Sequence, residues 1–446
     1  MVIQRDKPCL LWGSAPNGDT VTVKVSWNAT TFYAVATASN TWQISIPAAP
    51  ANADPQTIDC VTADSIPVNL KNILIGDVWI CSGQSNMEKN MSIVLNSDEE
   101  IAAANYPNIR VSTLATDYED GPTTTLSNNA TWTACSPKTA SQYSAVAYYF
   151  ARSLNASLNV PIGIIVSAVG ATLCEEWTAS AAISSNPILL NYYKYDIDSK
   201  LYNGMIYPLK NLSIKGFTWY QGEGNRNNDP VSNYTLLNVA LVANWRSIFN
   251  QGTLPFYYVQ VAPYDILYNP ATNTGGSPNA DDYAKFREAQ ANIRAMVPAS
   301  GMAVTMDVGD STEIHPANKA PVGERLALLA LKNDYNQPVQ CVGPQYSSYS
   351  VNGNTATISF VQGTATGLNT IQNAPLAQYF FMAGADHVFR RGKAVITGEQ
   401  VIVTASALTP LPIQAIRYAF TDYPITNLQN SADLPAEPFR TDNWDN

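Results

Sequence analysis

The sequence predicts an α/β protein whose central parallel sheet is covered by helices on both faces and flanked by two β-rich modules. In the middle of the chain, short apolar strands alternate with longer helical stretches, which is typical of crossover units and hence of parallel strands. Near both ends, apolar and polar residues alternate between turns rich in Gly, Pro and Asn. We therefore expect three parts, residues 1–72, 73–335 and 336–446.

The middle part supplies the elements of the expected sheet. Its apolar runs predict strands at Ile73–Ile80, Ile109–Leu114, Pro161–Ser167, Ile214–Tyr220, Phe256–Val261 and Met302–Val308. Its helical patterns predict helices at Ser144–Leu158, Tyr234–Phe249, Tyr283–Met296 and Val322–Asn333. Ligands of such sheets bind beyond the carboxyl ends of the strands, so the residues that follow each strand are the candidates for function.

The two end modules carry the period-two pattern of half-buried strands. The alternation is clear at Thr20–Val25 and Trp42–Ile46 in the first module, and at Thr357–Phe360 and Val401–Thr404 in the last. We expect the first module to be structural, with sugar binding as the alternative.

The charge and the apolar runs of the chain argue against two classes of partner, nucleic acids and membranes. The 446 residues carry a net charge of -10, and phosphate binding requires concentrated Lys and Arg, so a nucleic-acid partner is not expected. No apolar run reaches the roughly 18 residues of a membrane span, and runs such as Ile73–Ile80 have the length of strands. A membrane partner is therefore not expected either.

Cysteine and histidine usage argues against a metal centre. The six cysteines show no C-x-x-C spacing, so they fit scattered disulfides or buried thiols. The two histidines, His315 and His387, exclude a multi-histidine metal site, and any serine-histidine catalysis must use one of them. No metal or organic cofactor is expected.

A serine follows the first predicted strand, where Gly83 precedes a turn and then a helix. The first N–H groups of that helix can stabilise a developing oxyanion. Ser85 is flanked by Gln84 and Asn86, so the G-x-S-x-G elbow of α/β-hydrolases is absent. Ser85 is therefore a candidate nucleophile, with a helix cap as the alternative.

Two more strand-end loops and one histidine complete the candidates. Gly170 follows the third predicted strand and can bring a backbone N–H close to a substrate, with a plain turn glycine as the alternative. Asn225 follows the fourth and can donate to an oxyanion, with turn chemistry as the alternative. His315 lies between the last strand and the last helix, whereas His387 falls in the last module and is expected to be structural.

Five ordered motifs resemble the sialate O-acetylesterase family, a branch of the SGNH hydrolases that also holds bacterial carbohydrate acetylesterases. The motifs are Asp77-Val78-Trp79 leading into Ser82-Gly83-Gln84-Ser85-Asn86-Met87, Pro161-Ile162-Gly163 ending at Gly170, Tyr202-Asn203-Gly204-Met205-Ile206, Trp219-Tyr220-Gln221-Gly222-Glu223, and Ile314-His315-Pro316 with Lys319. The resemblance implies a flavodoxin-like SGNH three-layer sandwich, and a serine esterase that removes acetyl groups from carbohydrate through an acetyl-serine intermediate.

The resemblance also assigns roles to residues. It makes Ser85 the nucleophile and His315 the base, and it builds the oxyanion hole from the N–H groups of Ser85 and Gly170 and the side chain of Asn225. The family usually has Ser at the position of Gly224 and a second Gly at that of Ala171, and these differences leave all four roles occupied.

The acid that supports His315 departs from the SGNH pattern. SGNH enzymes place Asp three residues before the His, where this chain has Thr312, and family members often carry Asp two residues before, where it has Glu313. A carboxylate would hold the imidazole tautomer and stabilise its charged form. We expect Glu313 in this role, with Asp310 as the second choice and a backbone carbonyl as the third.

The resemblance implies O-acetylated sialic acid as the substrate, with acetylxylan or another polysaccharide and a non-catalytic carbohydrate-binding protein as alternatives. A lipase or thioesterase would need a long apolar groove, which these polar loops do not suggest. Gln84, Gln221 and Glu223 either hold sugar hydroxyls or brace the loops. The carboxylate of sialic acid would require a nearby arginine, for which Arg226 and Arg417 are candidates.

The residues after Met1 do not have the pattern of a signal peptide, so either the leader is absent from this chain or the protein is not secreted. Family members normally carry a signal peptide before the segment that resembles Met1–Gln4, which favours a secreted or lysosome-like protein with an internal Met1. Glycosylation sequons offer weak support for secretion, because a chain rich in Asn, Ser and Thr contains them by chance. They begin at Asn28, Asn90, Asn129, Asn155, Asn211 and Asn233.

Overall fold

The computed structural model describes residues 1–62, 67–128, 130–190, 199–226, 230–265 and 276–444. Its first six strands are β1 (Val2–Gln4), β2 (Cys9–Ser14), β3 (Thr20–Val25), β4 (Asn28–Val35), β5 (Thr41–Ile46) and β6 (Asn52–Val61). Strand β3 pairs antiparallel with β4 and β6, and β2 pairs antiparallel with β5. Every second residue of β3 is buried, as the alternating pattern predicts, and these valines pack with Ile46 and Ile58.

The middle of the chain forms the parallel sheet that the sequence predicts. Its strands are β7 (Val68–Gly83), β8 (Tyr106–Thr113), β9 (Thr133–Cys135), β10 (Ile162–Ala168), β11 (Gly216–Tyr220), β12 (Phe256–Val259) and β13 (Ser300–Ala303). Their order is β13-β12-β11-β7-β10-β8-β9, and only β9 runs antiparallel to its neighbour in that order. All six predicted strands are confirmed, although their bounds differ by several residues.

Strand β7 belongs to two groups of strands at once. Its first half pairs with β6, in the register Cys60↔Val68, and with β1, in the register Val2↔Leu74. Its second half pairs with β10 and β11. Because one continuous strand joins the two groups, the boundary expected between residues 72 and 73 lies inside β7.

Helices cover both faces of the parallel sheet. They are α1 (Ser85–Glu88), α2 (Ser97–Ala103), α3 (Ala145–Leu158), α4 (Ser180–Ser184), α5 (Asn233–Phe249), α6 (Asp282–Met296) and α7 (Ala320–Asp334), and they include all four predicted helices. Trp79 and Cys81 of β7 share a core with α3 and α7, whereas Val78 and Ile80 share another with α5 and α6. None of the helices in the described ranges is long and apolar enough to cross a membrane.

The last part of the chain is β-rich, as predicted. Its strands are β14 (Tyr346–Asn352), β15 (Thr355–Phe360), β16 (Asn369–Thr370), β17 (Phe380–Ala383), β18 (Arg390–Arg391), β19 (Lys393–Thr397), β20 (Gln400–Thr404), β21 (Ala415–Tyr418), β22 (Leu428–Gln429) and β23 (Phe439–Arg440). Ion pairs attach this part to α6 and its N-terminus. They are Arg417–Asp281, Arg440–Glu288 and Arg294–Glu437.

The six cysteines are free thiols. Of the two possibilities that the sequence leaves open, the structure contains the thiols, and the expectation of disulfides is wrong for this structure. Cys81, Cys135 and Cys174 are buried, and burial raises the pKa of the Cys81 thiol to about 12. They behave as small apolar side chains in the core.

Candidate active site

The loops singled out in the sequence meet at one edge of the sheet. Strands β7, β10 and β11 end in register, with Gly83 opposite both Ala168 and Tyr220. The chain order of the neighbouring strands reverses at β7, and ligands of open parallel sheets bind at such points, beyond the carboxyl ends of the strands. Ser85, Gly170 and Asn225 each follow one of these three strand ends.

Gly83 makes the sharp exit from β7. Its φ of +141° lies in the region that side chains rarely adopt, and a Cβ at this position would lie 2.1 Å from the carbonyl oxygen of Tyr220. The next N–H, that of Gln84, donates to the same carbonyl over 3.0 Å. The turn places Ser85 as the first residue of α1, directly beyond the sheet.

A continuous chain of hydrogen bonds joins Ser85, His315 and Glu313. Nε2 of His315 lies 2.9 Å from Oγ of Ser85, and Nδ1 of His315 lies 2.8 Å from Oε1 of Glu313. The backbone N–H of His315 donates to the same Oε1, and this hydrogen bond lowers the pKa of Glu313. The arrangement has the order nucleophile, base and acid that activates a serine hydroxyl.

Asp310 is the second candidate acid. Among the described residues, no hydrogen bond joins it to the imidazole of His315. Its Oδ1 accepts hydrogen bonds from the N–H groups of Thr312 and Glu313 and from the hydroxyl of Thr312. These bonds lower the pKa of Asp310 and stabilise the turn that presents Glu313 to His315.

Gly170 lies against Ser85. A Cβ at Gly170 would be 3.5 Å from Cβ of Ser85 and 2.9 Å from Oε2 of Glu88, so glycine permits a close approach of the two loops. Among the described residues, the N–H groups of Ser85 and Gly170 have no hydrogen-bond acceptor. Two free N–H groups beside a serine hydroxyl can bind a developing oxyanion.

The side-chain amide of Asn225 is held from both ends. Its Oδ1 accepts from the N–H of Cys174 over 2.9 Å and from Nε2 of Gln221 over 2.7 Å. Its Nδ2 donates to Oε2 of Glu175 over 2.6 Å, which leaves the second Nδ2 hydrogen without a partner among the described residues. Sequence reasoning missed Glu175, because the segment Cys174–Trp177 carries two adjacent glutamates and no local pattern shows which of them meets Asn225.

Gln84 and Gln221 are occupied by protein partners. Oε1 of Gln84 accepts hydrogen bonds from Nε2 of Gln221 and from the N–H groups of Gly222 and Gly224. Oε1 of Gln221 accepts from the hydroxyl of Tyr234 over 2.7 Å. Both glutamines are buried, and these contacts join the loops that follow β7 and β11.

Glu223 belongs to a buried polar cluster with Asn86 and Lys319. Its Oε1 accepts a hydrogen bond from Nδ2 of Asn86, and Oδ1 of Asn86 accepts one from Nζ of Lys319. Oε2 of Glu223 has no partner in the described part of the chain. Burial raises the pKa of Glu223 and lowers that of Lys319 to about 8.

The two candidate arginines have different surroundings. Arg417 is fully buried and paired with Asp281 and Asp442, so it is not available to a sugar. Arg226 follows Asn225 and is partly exposed, and its guanidinium lies 4.9 Å from the ring centroid of Tyr283. Of the two, only Arg226 lies on an active-site loop.

Acidic side chains lie near Gly170 and Tyr118. Oε2 of Glu88 is close to Gly170, and burial followed by the charges of Glu176 and Glu88 raises the pKa of Tyr118. Tyr118 is 52% exposed, so its ring is accessible to a ligand. This group of Glu88, Glu176 and Tyr118 is called the acidic rim below.

A cavity of about 490 Å³ lies away from these loops. Its lining includes Val2, Trp12, Leu70 and Val78, and contains none of the candidate catalytic residues. His387 is also outside the site, because its ring stacks on Trp444 with 3.7 Å between centroids. In the described ranges, no group of three or more His, Cys, Asp or Glu is arranged to hold a metal ion.

Comparison with known proteins identifies relatives over the whole chain. The sequence model of a family described as carbohydrate esterase, sialic acid-specific acetylesterase, matches residues 75–332. A sialate O-acetylesterase of Rattus norvegicus is 26% identical over 98% of this chain and 92% of the rat protein. That of Homo sapiens is 28% identical over 76% of this chain and 70% of its own length. The crystal structure of a carbohydrate acetylesterase from Xanthomonas citri has a TM-score of 0.89 and 33% identity, covering 99% of this chain and 97% of that one.

Proposed function

The chain belongs to the carbohydrate esterase family of sialic acid-specific acetylesterases, and we propose that its carbohydrate O-deacetylation uses Ser85 as nucleophile and His315 as base. The observation that carries this proposal is the 2.9 Å contact between Nε2 of His315 and Oγ of Ser85, continued over 2.8 Å to Glu313. A serine alone at a helix start would cap the helix, but here its hydroxyl is paired with an imidazole that a carboxylate supports.

The proposed reaction proceeds through an acetyl-serine. Oγ of Ser85 attacks the acetyl carbonyl carbon while Nε2 of His315 takes the hydroxyl proton, and the tetrahedral oxyanion accepts hydrogen bonds from the N–H groups of Ser85 and Gly170. Asn225 is the proposed third donor, through its free Nδ2 hydrogen. Collapse of the intermediate breaks the ester bond, and His315 returns the proton to the leaving sugar oxygen. Water then attacks the acetyl carbon while His315 takes a proton from it. Collapse of this second intermediate breaks the bond to Oγ of Ser85 and releases acetate, and His315 returns the proton to Oγ.

We propose that the middle part, residues 73–335, is an SGNH-type flavodoxin-like sandwich between β-rich parts at 1–72 and 336–446. The order of five parallel strands supports this. When β8 and the antiparallel edge strand β9 are set aside, the order β10-β7-β11-β12-β13 corresponds to 2-1-3-4-5, the flavodoxin-like order. Strand β8 is then an additional parallel strand between β10 and β9.

The proposed sugar is O-acetylated sialic acid. The names of the rat and human relatives support this substrate, and so does Arg226, whose guanidinium has no carboxylate partner among the described residues. A neutral acetylated polysaccharide such as acetylxylan is the second candidate. The acidic rim favours it, because Glu88 and Glu176 would repel the carboxylate of a sialic acid.

Acetate release tests the proposal. The protein and its Ser85→Ala variant are incubated with 9-O-acetylated sialic acid and with acetylated xylan, and acetate is quantified. We expect release from one of the two sugars, and almost none with the variant. Undiminished release by Ser85→Ala would refute the assignment of the nucleophile. Sugar binding by the wild type without release would indicate the non-catalytic carbohydrate-binding protein.

We propose a secreted or lysosome-like location for the protein. The partly exposed sequon residues Asn28, Asn90, Asn155 and Asn211 support it, whereas Asn233 is buried and unsuited to glycosylation. Asn129 lies outside the described residues. Expression in a eukaryotic secretory host, followed by glycosidase digestion, tests the proposal. A chain whose mobility does not change on digestion would speak against it.

A further inference from the structure

Asn86, the residue after the proposed nucleophile, connects three loops of the site. It is 1% exposed, so its amide can be satisfied only by protein groups. Its Nδ2 donates to the backbone carbonyl of Ile314 over 3.1 Å and to Oε1 of Glu223, and its Oδ1 accepts from Nζ of Lys319. Every hydrogen-bonding position of its NH2 group is therefore used.

The flanking charges determine which way the amide faces. An ammonium group can only donate hydrogen bonds, and a carboxylate can only accept them. Oδ1 must therefore face Lys319, and Nδ2 must face Glu223 and the carbonyl of Ile314. A rotation of the amide by 180° would turn its NH2 group towards the ammonium group of Lys319 and its oxygen towards two acceptors, at a buried position where unpaired polar groups are costly.

The acceptor carbonyl lies next to the catalytic histidine in the chain. Ile314 precedes His315, so the bond from Asn86 ties the backbone of the base to the residue after the nucleophile. The imidazole must reach Oγ of Ser85 over 2.9 Å, and a displacement of about 1 Å can cost about 100-fold in rate. The hydrogen bond from Asn86 to the carbonyl of Ile314 should therefore affect kcat rather than substrate binding.

We propose that Asn86 is a positioning residue for His315, with Lys319 and Glu223 orienting its amide. This inference rests on the proposed function, because it assigns a role relative to the Ser85–His315 pair. Asn86 does not touch the substrate in this scheme. It keeps the loop that carries His315 at the distance that proton transfer from Ser85 requires.

The charged groups around Lys319 make the hydrogen bonds of Asn86 sensitive to alkaline pH. Burial disfavours the ammonium form of Lys319, as does Lys89, whereas Glu223 and Glu313 favour it, and the Tyr220 ring lies 5.4 Å from Nζ. Loss of the proton above a pKa of about 8 turns Nζ into a possible acceptor and removes the constraint on the amide. Turnover should then fall above that pH while the fold persists.

The test compares Asn86→Ala with Asn90→Ala. Asn90 lies four residues further along, just after α1, and caps the next turn through Ser92, outside the buried cluster, so it is the matched control. We expect Asn86→Ala to lower kcat by about 10- to 100-fold with little change in KM, and Asn90→Ala to retain wild-type kcat. Thermal melting verifies that both variants are folded.

Nuclear magnetic resonance reports directly on the position of the His315 imidazole. The chain has two histidines, so a His387→Gln background leaves the signals of His315 alone. We expect the His315 ring signals of folded Asn86→Ala to shift and broaden, an effect that a purely structural role elsewhere would not produce. Unchanged His315 signals together with a kcat within about threefold of wild type would overturn the proposal.

The pH profile covers the case in which Asn86→Ala does not fold. Wild-type kcat should decline above pH 8, and Lys319→Arg, whose charge persists, should shift the decline to higher pH. A wild-type kcat that is flat to pH 10, or a decline that Lys319→Arg leaves in place, would overturn the proposal. Ser85→Ala distinguishes failure of the proposed function from failure of the positioning role. Activity in Ser85→Ala would refute the esterase assignment itself. An inactive Ser85→Ala together with a fully active Asn86→Ala would refute only the positioning role of Asn86.

Discussion

Nδ2 of Asn225 donates a 2.6 Å hydrogen bond to Oε2 of Glu175, a carboxyl group that is 1% exposed. The same amide accepts hydrogen bonds at its oxygen, so Glu175 determines where the remaining Nδ2 hydrogen points. Burial raises the pKa of Glu175, which favours a neutral group behind a donor that is proposed to stabilise negative charge.

The first prediction concerns the contact of Glu175 with Asn225, the proposed oxyanion donor. Glu175→Gln retains an acceptor for Asn225 and should keep most of the turnover, whereas Glu175→Ala removes it and should lower kcat by about 10- to 100-fold. Steady-state kinetics on the acetylated sugar measures the difference, and thermal melting controls for folding. Equal kcat values for the two variants would show that Glu175 has no part in orienting Asn225.

The second prediction distinguishes the candidate acids. Glu313→Gln removes the charge beside Nδ1 of His315 and should reduce kcat by about 10-fold or more, whereas Asp310→Asn keeps the turn and should stay within about threefold of wild type. Parallel kinetics of the two variants decides between them. A larger loss in Asp310→Asn would reverse the assignment.

The third prediction concerns stability and pH. The folded-state pKa of Glu175 is raised, so the folded protein binds more protons than the unfolded chain, and this group destabilises the fold as pH rises through the raised pKa. Glu175→Gln removes the effect. We expect its melting temperature relative to wild type to be higher at pH 8 than at pH 5, and a difference independent of pH would contradict the ionisation of a buried carboxyl group.

The fourth prediction concerns Ala171, which adopts a left-handed conformation with φ of 61° beside Gly170. Ala171→Gly should stabilise the protein by about 1 kcal/mol, because a Cβ is strained in this region. Ala181→Gly in α4, a right-handed helical position, is the control and should destabilise it by about 0.5–1 kcal/mol. Denaturant unfolding measures both, and a destabilised Ala171→Gly would contradict the prediction.

The fifth prediction concerns the thiols. All six cysteines should react with a thiol reagent after denaturation without a reductant, because none is paired in the structure. In the folded protein, Cys81 and Cys174 should stay unreactive, because burial raises their pKa and reaction requires the thiolate. A melting temperature that falls on addition of a reductant would indicate a disulfide and contradict the structure.

Much of the fold followed from local pattern. The apolar runs and helical periods located the six parallel strands and the four long helices, because burial on both faces of a sheet requires continuous apolar strands. Strand limits were less accurate, as β7 shows. Its extension back to Val68 depends on pairing with β6. A local sequence pattern does not show which strands pair with each other.

The sequence by itself determined that Ser85, Gly170, Asn225 and His315 follow strands of one parallel sheet, because the direction of the strands brings such residues to one edge. Only the tertiary structure decided which groups act on one another there. Glu313 rather than Asp310 contacts His315, Glu175 holds Asn225, and Asn86 bridges Lys319, Glu223 and the carbonyl of Ile314. These partners are far apart in sequence or compete within one short turn, so only side-chain geometry selects among them.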